Sequence, residues 1–195
     1  PDGAQFLVPL SGRLFTVAWR DGGVTELPVD GGFPIAPRFS ADGSKVAYVA
    51  DGDLYVIDTA GETPSVRRLT ERSSETVTNG LAEFVAQEEM DSDHGYWFSP
   101  DGEWLLYAQA DVDGLEMFSI PDPADPGKTP QAWPYPRPGK KNATVRLGVI
   151  PTAGGDTTWF RWDADAYPYL ATVRWSAGGA PVALVQNRHQ TEQVL

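Results

Sequence analysis

The run Lys45-Val46-Ala47-Tyr48-Val49-Ala50-Asp51-Gly52-Asp53-Leu54-Tyr55-Val56-Ile57-Asp58 decides the fold. Two stretches rich in β-branched and aromatic side chains flank Asp51-Gly52. Such residues suit a pleated, packed surface. An Asp-Gly pair supplies the two positive-φ positions of a two-residue hairpin turn. The segment is therefore predicted as strand, tight turn and return strand.

The same pattern stands 40 residues earlier. Ser11-Gly12 precedes Asp51-Gly52 by that step (51 − 11), and Asp2-Gly3 precedes Asp42-Gly43 by the same (42 − 2). Arg13-Leu14-Phe15-Thr16-Val17 overlays Asp53-Leu54-Tyr55-Val56-Ile57. A third copy opens at Phe98-Ser99-Pro100-Asp101-Gly102, 59 residues beyond the second (101 − 42). A degenerate fourth opens at Trp175-Ser176-Ala177-Gly178-Gly179, and Phe39-Ser40, Phe98-Ser99 and Trp175-Ser176 share an aromatic-Ser step. A unit of about 40 residues with about four strands is a propeller blade, which cannot bury both faces alone and packs on its neighbours. A β-sandwich would give short strands and turns but not this self-similarity. The expected fold is all-β, a partial β-propeller of about three blades plus partial ones with a short helical insertion. Residues 1–195 are expected to form a single segment of a larger propeller, its first blade lacking the innermost strand and residues 182–195 starting another.

Composition agrees. Hydrophobic residues make up 41% of the 195, enough for a core, and 20 Gly with 17 Pro is heavy punctuation for a helical protein. The net charge of −12 repels phosphate backbones and argues against a nucleic-acid partner. With no Cys, neither a disulfide nor thiol chemistry is available. No stretch approaches the ~18 apolar residues of a membrane-spanning helix, so no membrane partner is expected.

The extra residues of the third copy fall between Leu69 and Tyr96. Thr78-Asn79-Gly80 suits a helix cap, and Leu81, Phe84, Val85 and Glu88 follow at helical spacing through Glu89. Glu88 and Glu89 would then end the helix, where two carboxylates oppose its dipole and repel each other. A cationic ligand such as a peptide's α-ammonium relieves both penalties. From spacing alone the commoner reading is that both are solvated surface acids, or that one pairs with an Arg such as Arg146 or Arg161.

The ordered set Phe84-Val85-Ala86-Gln87-Glu88-Glu89-Met90, Gly95-Tyr96-Trp97-Phe98-Ser99-Pro100-Asp101-Gly102, Tyr135-Pro136-Arg137-Pro138-Gly139, Asn142-Ala143 and Thr144-Val145-Arg146-Leu147-Gly148-Val149 resembles dipeptidyl peptidase IV-like serine peptidases. Trp175 and Asn187-Arg188-His189-Gln190 fit the following blade. The resemblance implies a propeller whose inserted helix projects two glutamates, here Glu88 and Glu89, that bind the free N-terminal amine of a peptide substrate. It implies no cofactor and no metal. One departure stands out: Asp91, Asp93 and His94 lie where many relatives carry Arg.

That family's nucleophile sits on a Gly-x-Ser-x-Gly elbow of an α/β-hydrolase domain. No Gly here is followed by Ser two residues later, and His94 and His189 have no nucleophile at recognisable spacing. No catalytic residue is assigned, and the hydrolase domain is expected to be a missing partner. Asp111-Val112-Asp113-Gly114 resembles the start of a calcium loop but has Asp122 where the terminal Glu belongs, and is predicted as the turn of the third hairpin. The Pro-rich run 121–141 is predicted as an extended loop, and Trp97, Trp104, Trp159 and Trp162 as blade packing. Open strand edges imply self-association. The alternatives are a propeller-type protein-interaction module, or the propeller of a prolyl oligopeptidase or acylaminoacyl peptidase, which would not need the glutamate pair.

Overall fold

The structure is a computed structural model and describes residues 3–61, 63–176 and 178–195. Asp2 of the first repeat turn and Ala177 of the fourth lie outside the described residues. Strands β1 (Gln5–Leu10), β2 (Arg13–Ala18) and β3 (Val24–Leu27) form the first antiparallel sheet. The second contains β4 (Ile35–Phe39), β5 (Lys45–Ala50), β6 (Asp53–Asp58) and β7 (Ser65–Arg68). The third is built from β8 (Val77–Asn79), β9 (Tyr96–Phe98) and β10 (Trp104–Asp111), with helix α1 (Phe84–Glu89) between the first two. A separate ribbon, β11 (Glu116–Ile120) and β12 (Gln131–Tyr135), precedes the third sheet's outer strands β13 (Thr144–Pro151) and β14 (Thr158–Trp159). Strands β15 (Tyr169–Trp175), β16 (Pro181–Gln186) and β17 (Gln193–Val194) form the fourth sheet.

The 40-residue repeat is physical. Ser11 and Gly12 have φ of 51° and 79°, and Asp51 and Gly52 have 49° and 80°, so both hairpins close through the same turn. The second turn type also recurs. Ser40 Oγ donates to Asp42 Oδ1 at 2.6 Å, and the Lys45 amide donates to Ser40 Oγ at 3.0 Å. In the third copy Ser99 Oγ donates to Asp101 Oδ1, and the Trp104 amide donates to Ser99 Oγ at 2.9 Å. The serine hydroxyls are the leading cause holding the Asp42 and Asp101 carboxyls below the usual carboxylate range. In the fourth, Ala180 donates to Ser176 Oγ at 3.1 Å.

Strands β5 and β10 are buried on both faces. Val46, Tyr48 and Ala50 join Leu14 and Leu27 of the first sheet. The alternate residues Ala47 and Val49 join Tyr96, Leu105, Tyr107 and Ile150 of the third. On β10, Leu106 and Ala108 pack with Leu170, Val173 and Val185 of the fourth. Period-two alternation sends successive side chains into opposite interfaces. This explains why β5 and β10 read as almost unbroken apolar runs although their sheets are antiparallel. The sheets stack face to face as blades, a partial β-propeller.

Two expectations are corrected. Residues 121–141 are not simply a loop: β12 lies within them and pairs with β11, with Phe118 opposite Trp133. Pro134 has no amide to donate and is tolerated because a two-stranded ribbon has free edges. Consequently Asp111–Gly114 does not close the third hairpin. The Asp113 amide donates to Asp111 Oδ1 at 2.9 Å, but the chain then enters the ribbon before β13 returns to pair with β10, Thr144 opposite Asp111. Of the tryptophans, Trp97, Trp159 and Trp162 pack against the cores, whereas Trp104 is partly exposed.

A buried polar cluster ties the second sheet to the third. Asp53 is 1% exposed and accepts from Arg68 at 2.7 Å, Thr70 at 2.8 Å and Asn79 at 2.9 Å. Asn79 Oδ1 in turn accepts from Gln109 at 2.9 Å. Burial pushes the Asp53 carboxyl up, but the donors Asn79, Arg68 and Thr70 outweigh it and the net direction is down. Its stabilisation is therefore present above the unfolded carboxylate value of about 4 and is lost as pH falls through the lower folded value. Asp53→Ala strands buried donors and should cost about 3 kcal/mol in chemical denaturation at neutral pH. The gap from the parent should narrow below about pH 4; a gap that stays constant on acidification would contradict this account.

Candidate functional site

Strands β8 and β9 share one edge of β10. Asn79 lies opposite Gln109 and Tyr96 opposite Tyr107, both antiparallel. The partner strand advances by only one residue, Ala108, while the other chain makes the whole excursion 80–95. Ala108 grips both ends: the Gly80 amide donates to the Ala108 carbonyl, and the Ala108 amide donates to the Gly95 carbonyl, each at 2.8 Å. The site is thus a long loop rooted in a footprint of one residue.

The two roots nearly touch. A Cβ on Gly95 would lie 2.3 Å from Gly80 O and 2.4 Å from Leu81 C, both backbone atoms. Only glycine fits. Gly80 adopts φ 87° at the turn into the excursion. Tyr96, immediately after the second root, is buried, and its hydroxyl reaches the carbonyls of Ala36 and Ala47 in the second sheet. Burial pushes that phenol's pKa up.

The helix differs from expectation at its start. It begins at Phe84, not Leu81, and its cap is Glu83. The Glu83 carboxylate accepts from the amides of Val85 at 2.8 Å and Ala86 at 2.7 Å. Burial raises its pKa while these two donors act the other way. Thr78-Asn79-Gly80, the run expected to cap it, does not: Thr78 and Asn79 belong to β8, and Asn79 is also committed to the Asp53 cluster. Leu81 is drawn into the core between the second and third sheets, which keeps its backbone out of the helix. Val85 and Ala86 form the buried side of α1. Its far end closes where the Ser92 amide donates to the Ala86 carbonyl at 3.0 Å.

Glu88 and Glu89 occupy the last two positions of α1 and are both exposed. Neither glutamate makes an ion pair among the described residues. Arg146 does not serve them; its guanidinium lies 3.8 Å over the Trp159 ring. The last turn of the helix contains no basic residue. A cleft of about 380 Å³ opens just beyond the pair, lined by Asp91, Asp93, His94, Trp97, Thr172 and Arg174 among others. His94 pairs with Asp93, and this contact is the leading cause lowering the Asp93 carboxyl. His189 is exposed on a turn. Among the described residues no group of three or more potential ligands is poised for a metal ion, Asp91, Asp93, Asp111 and Asp113 included.

The blades, the excursion between β8 and β9 and the paired acids at its tip can be set beside known proteins. A model of the dipeptidyl peptidase IV (DPP IV) N-terminal region matches residues 4–195. The chain belongs to this family. Dipeptidyl peptidase 4 of Trichophyton rubrum is 29% identical over 179 residues, 86% of this chain and 22% of that one. Dipeptidyl peptidase 4 of Arthroderma otae is 33% identical over 180 residues, again 86% and 22%. The crystal structure of Porphyromonas gingivalis dipeptidyl peptidase 4 superposes with a TM-score of 0.79 at 23% identity, covering 98% of this chain and 28% of that one. The DPP IV N-terminal region described here therefore spans about a fifth of the length of those curated relatives.

Three residues that shape the site were missed by pattern reading. Glu83 is not among the favoured cap types, Ala108 lies in a plain apolar run, and Gly95 carried no turn signal beyond its type. The last gives a direct test. Gly95→Ala must part the two roots, at about 1–3 kcal/mol. Limited proteolysis should then cut within residues 81–94 well before the blades are attacked. Unchanged resistance of that segment would show that the roots are not in contact.

Proposed function

We propose that this chain is the non-catalytic propeller segment of a dipeptidyl peptidase-type serine exopeptidase, and that Glu88 and Glu89 bind the free N-terminal amine of the peptide substrate. The observation that carries the reading is the pair itself. Two adjacent, exposed carboxylates, without ion partners among the described residues, end a helix whose dipole they oppose. An ammonium group has three N–H donors, and two carboxylates can take them by charge-assisted hydrogen bonds. It also relieves the repulsion between the acids. A chain that continued beyond the amine would meet the helix instead, so the same device limits cleavage to a short N-terminal unit. Family membership supports the reading, because the relatives matched are dipeptidyl peptidases.

The reaction itself belongs to a serine-hydrolase domain elsewhere in the parent polypeptide, in this proposal, and the propeller gates access to it. The first sheet also asks for a partner: Phe6, Val8, Leu10 and Trp19 are exposed together at its edge strand and beyond. The isolated chain is expected to self-associate. Sedimentation should show oligomers whose share rises with concentration, and a monomer at every concentration up to about millimolar would contradict this.

In the full-length parent, Glu88→Gln and Glu89→Gln should each lower kcat/KM on a free-amine dipeptide substrate roughly 10- to 150-fold. The loss should largely vanish when the substrate amine is acetylated. Equal losses on free and acetylated substrates would show that the pair is structural.

A further inference from the structure

A helix of six residues cannot hold its own geometry in water and takes its orientation from packing. Two supports of α1 have been described, the Ala108 root and the buried side of Val85 and Ala86. The third is lateral. Phe84, the first helical residue, sets its ring edge-on to Tyr135, with centroids 4.9 Å apart and planes at 62°. Tyr135 rests in turn on Phe118, with centroids 5.6 Å apart.

The geometry of this stack follows from the ribbon. Register pairs Glu116 with Tyr135 and Phe118 with Trp133, so Phe118 and Tyr135 are diagonal neighbours on one face. An ion pair between Arg137 and Glu116, 3.4 Å, lies at the same end. On the helix side, Phe84 and Glu88 are four residues apart and share a face, one turn above the other. A tilt of α1 about its root that released Phe84 from Tyr135 would carry Glu88 with it. No hydrogen bond involves the Tyr135 hydroxyl among the described residues; its ring is the part the helix uses.

We propose that Tyr135 is a positioning residue for the amine-binding pair: the stack Phe84–Tyr135–Phe118 fixes the orientation in which α1 presents Glu88 and Glu89. The inference rests on the amine-binding reading above. It makes the ribbon more than a protrusion from the blade, because it becomes the outer wall against which the recognition helix is set. Ribbon and helix lie far apart in sequence, and neither belongs to the regular four-strand pattern.

The test uses the full-length parent with a chromogenic Ala-Pro substrate, free and N-acetylated. Tyr135→Ala should raise KM for the free-amine substrate about 10-fold while kcat changes little, with no effect on the acetylated form. Tyr135→Phe should behave as the parent. Phe84→Ala, which removes the same contact from the helix side, should reproduce the Tyr135→Ala pattern. Hydrogen exchange of residues 84–90 should quicken in both alanine variants and leave β10 unchanged. A Tyr135→Ala variant that keeps the parent's preference for the free amine would overturn the proposal, as would a Tyr135→Phe variant as impaired as Tyr135→Ala. The double variant Glu88→Gln with Glu89→Gln, measured alongside, separates the two readings. If it loses the preference while Tyr135→Ala keeps it, only the positioning role fails. If it keeps the preference, the amine-binding reading fails and takes this inference with it.

Discussion

The backbone of Ala108 is the point on which the site depends. It satisfies both ends of the excursion 80–95, accepting from Gly80 and donating to Gly95. Its side chain faces the core shared with the fourth sheet. A buried inner strand cannot leave an amide and a carbonyl unpaired. A loop rooted there must return to the position from which it left. The roots then have to lie side by side, which is why Gly95 admits no side chain. The same constraint lets a long insertion leave the blade without breaking its hydrogen-bonded ladder. β8 and β9 continue one track as if nothing stood between them.

What holds β10 in place is the stacking of blades. Its alternate residues serve two interfaces, Leu105 and Tyr107 toward the second sheet and Leu106 and Ala108 toward the fourth. The polar links run along the same seams. Asp53 of the second sheet is bound to Asn79, the last residue before the excursion. Trp175 of the fourth sheet donates to the Trp97 carbonyl at 3.1 Å, just after it returns. Neighbouring blades thus fasten the strand on either side of the loop. Tyr96 reaches across to the second sheet from the same place. The rigidity of the loop's base is a property of three blades, not of the loop.

Much of this was legible in the sequence because it is written in turns. Asp51-Gly52 and Ser11-Gly12 demand positive φ, and their spacing gives the blade period. Ser-x-Asp-Gly turns use side chains whose chemistry dictates their geometry. The helix and its two acids followed from spacing and family resemblance. Less legible were features fixed by distant contacts. The helix starts later than its spacing suggests because Asn79, a good cap by type, is drawn into a buried cluster, while Glu83 caps with a desolvated carboxylate. Residues 121–141 read as a loop because Pro134 and the prolines around it argue against a strand, and only the pairing of β12 with β11 shows otherwise. The contact between Phe84 and Tyr135 joins segments with no shared periodicity, so no local pattern announces it.

The central claim is that a blade-rooted helix offers Glu88 and Glu89 to a substrate amine. The most direct measurement is a crystal structure of the full-length parent with a dipeptide product bound. The account predicts the product's ammonium nitrogen within about 3 Å of carboxylate oxygens of both glutamates, with α1 still against Tyr135. An ammonium held by other acids, with Glu88 and Glu89 left facing solvent, would contradict it.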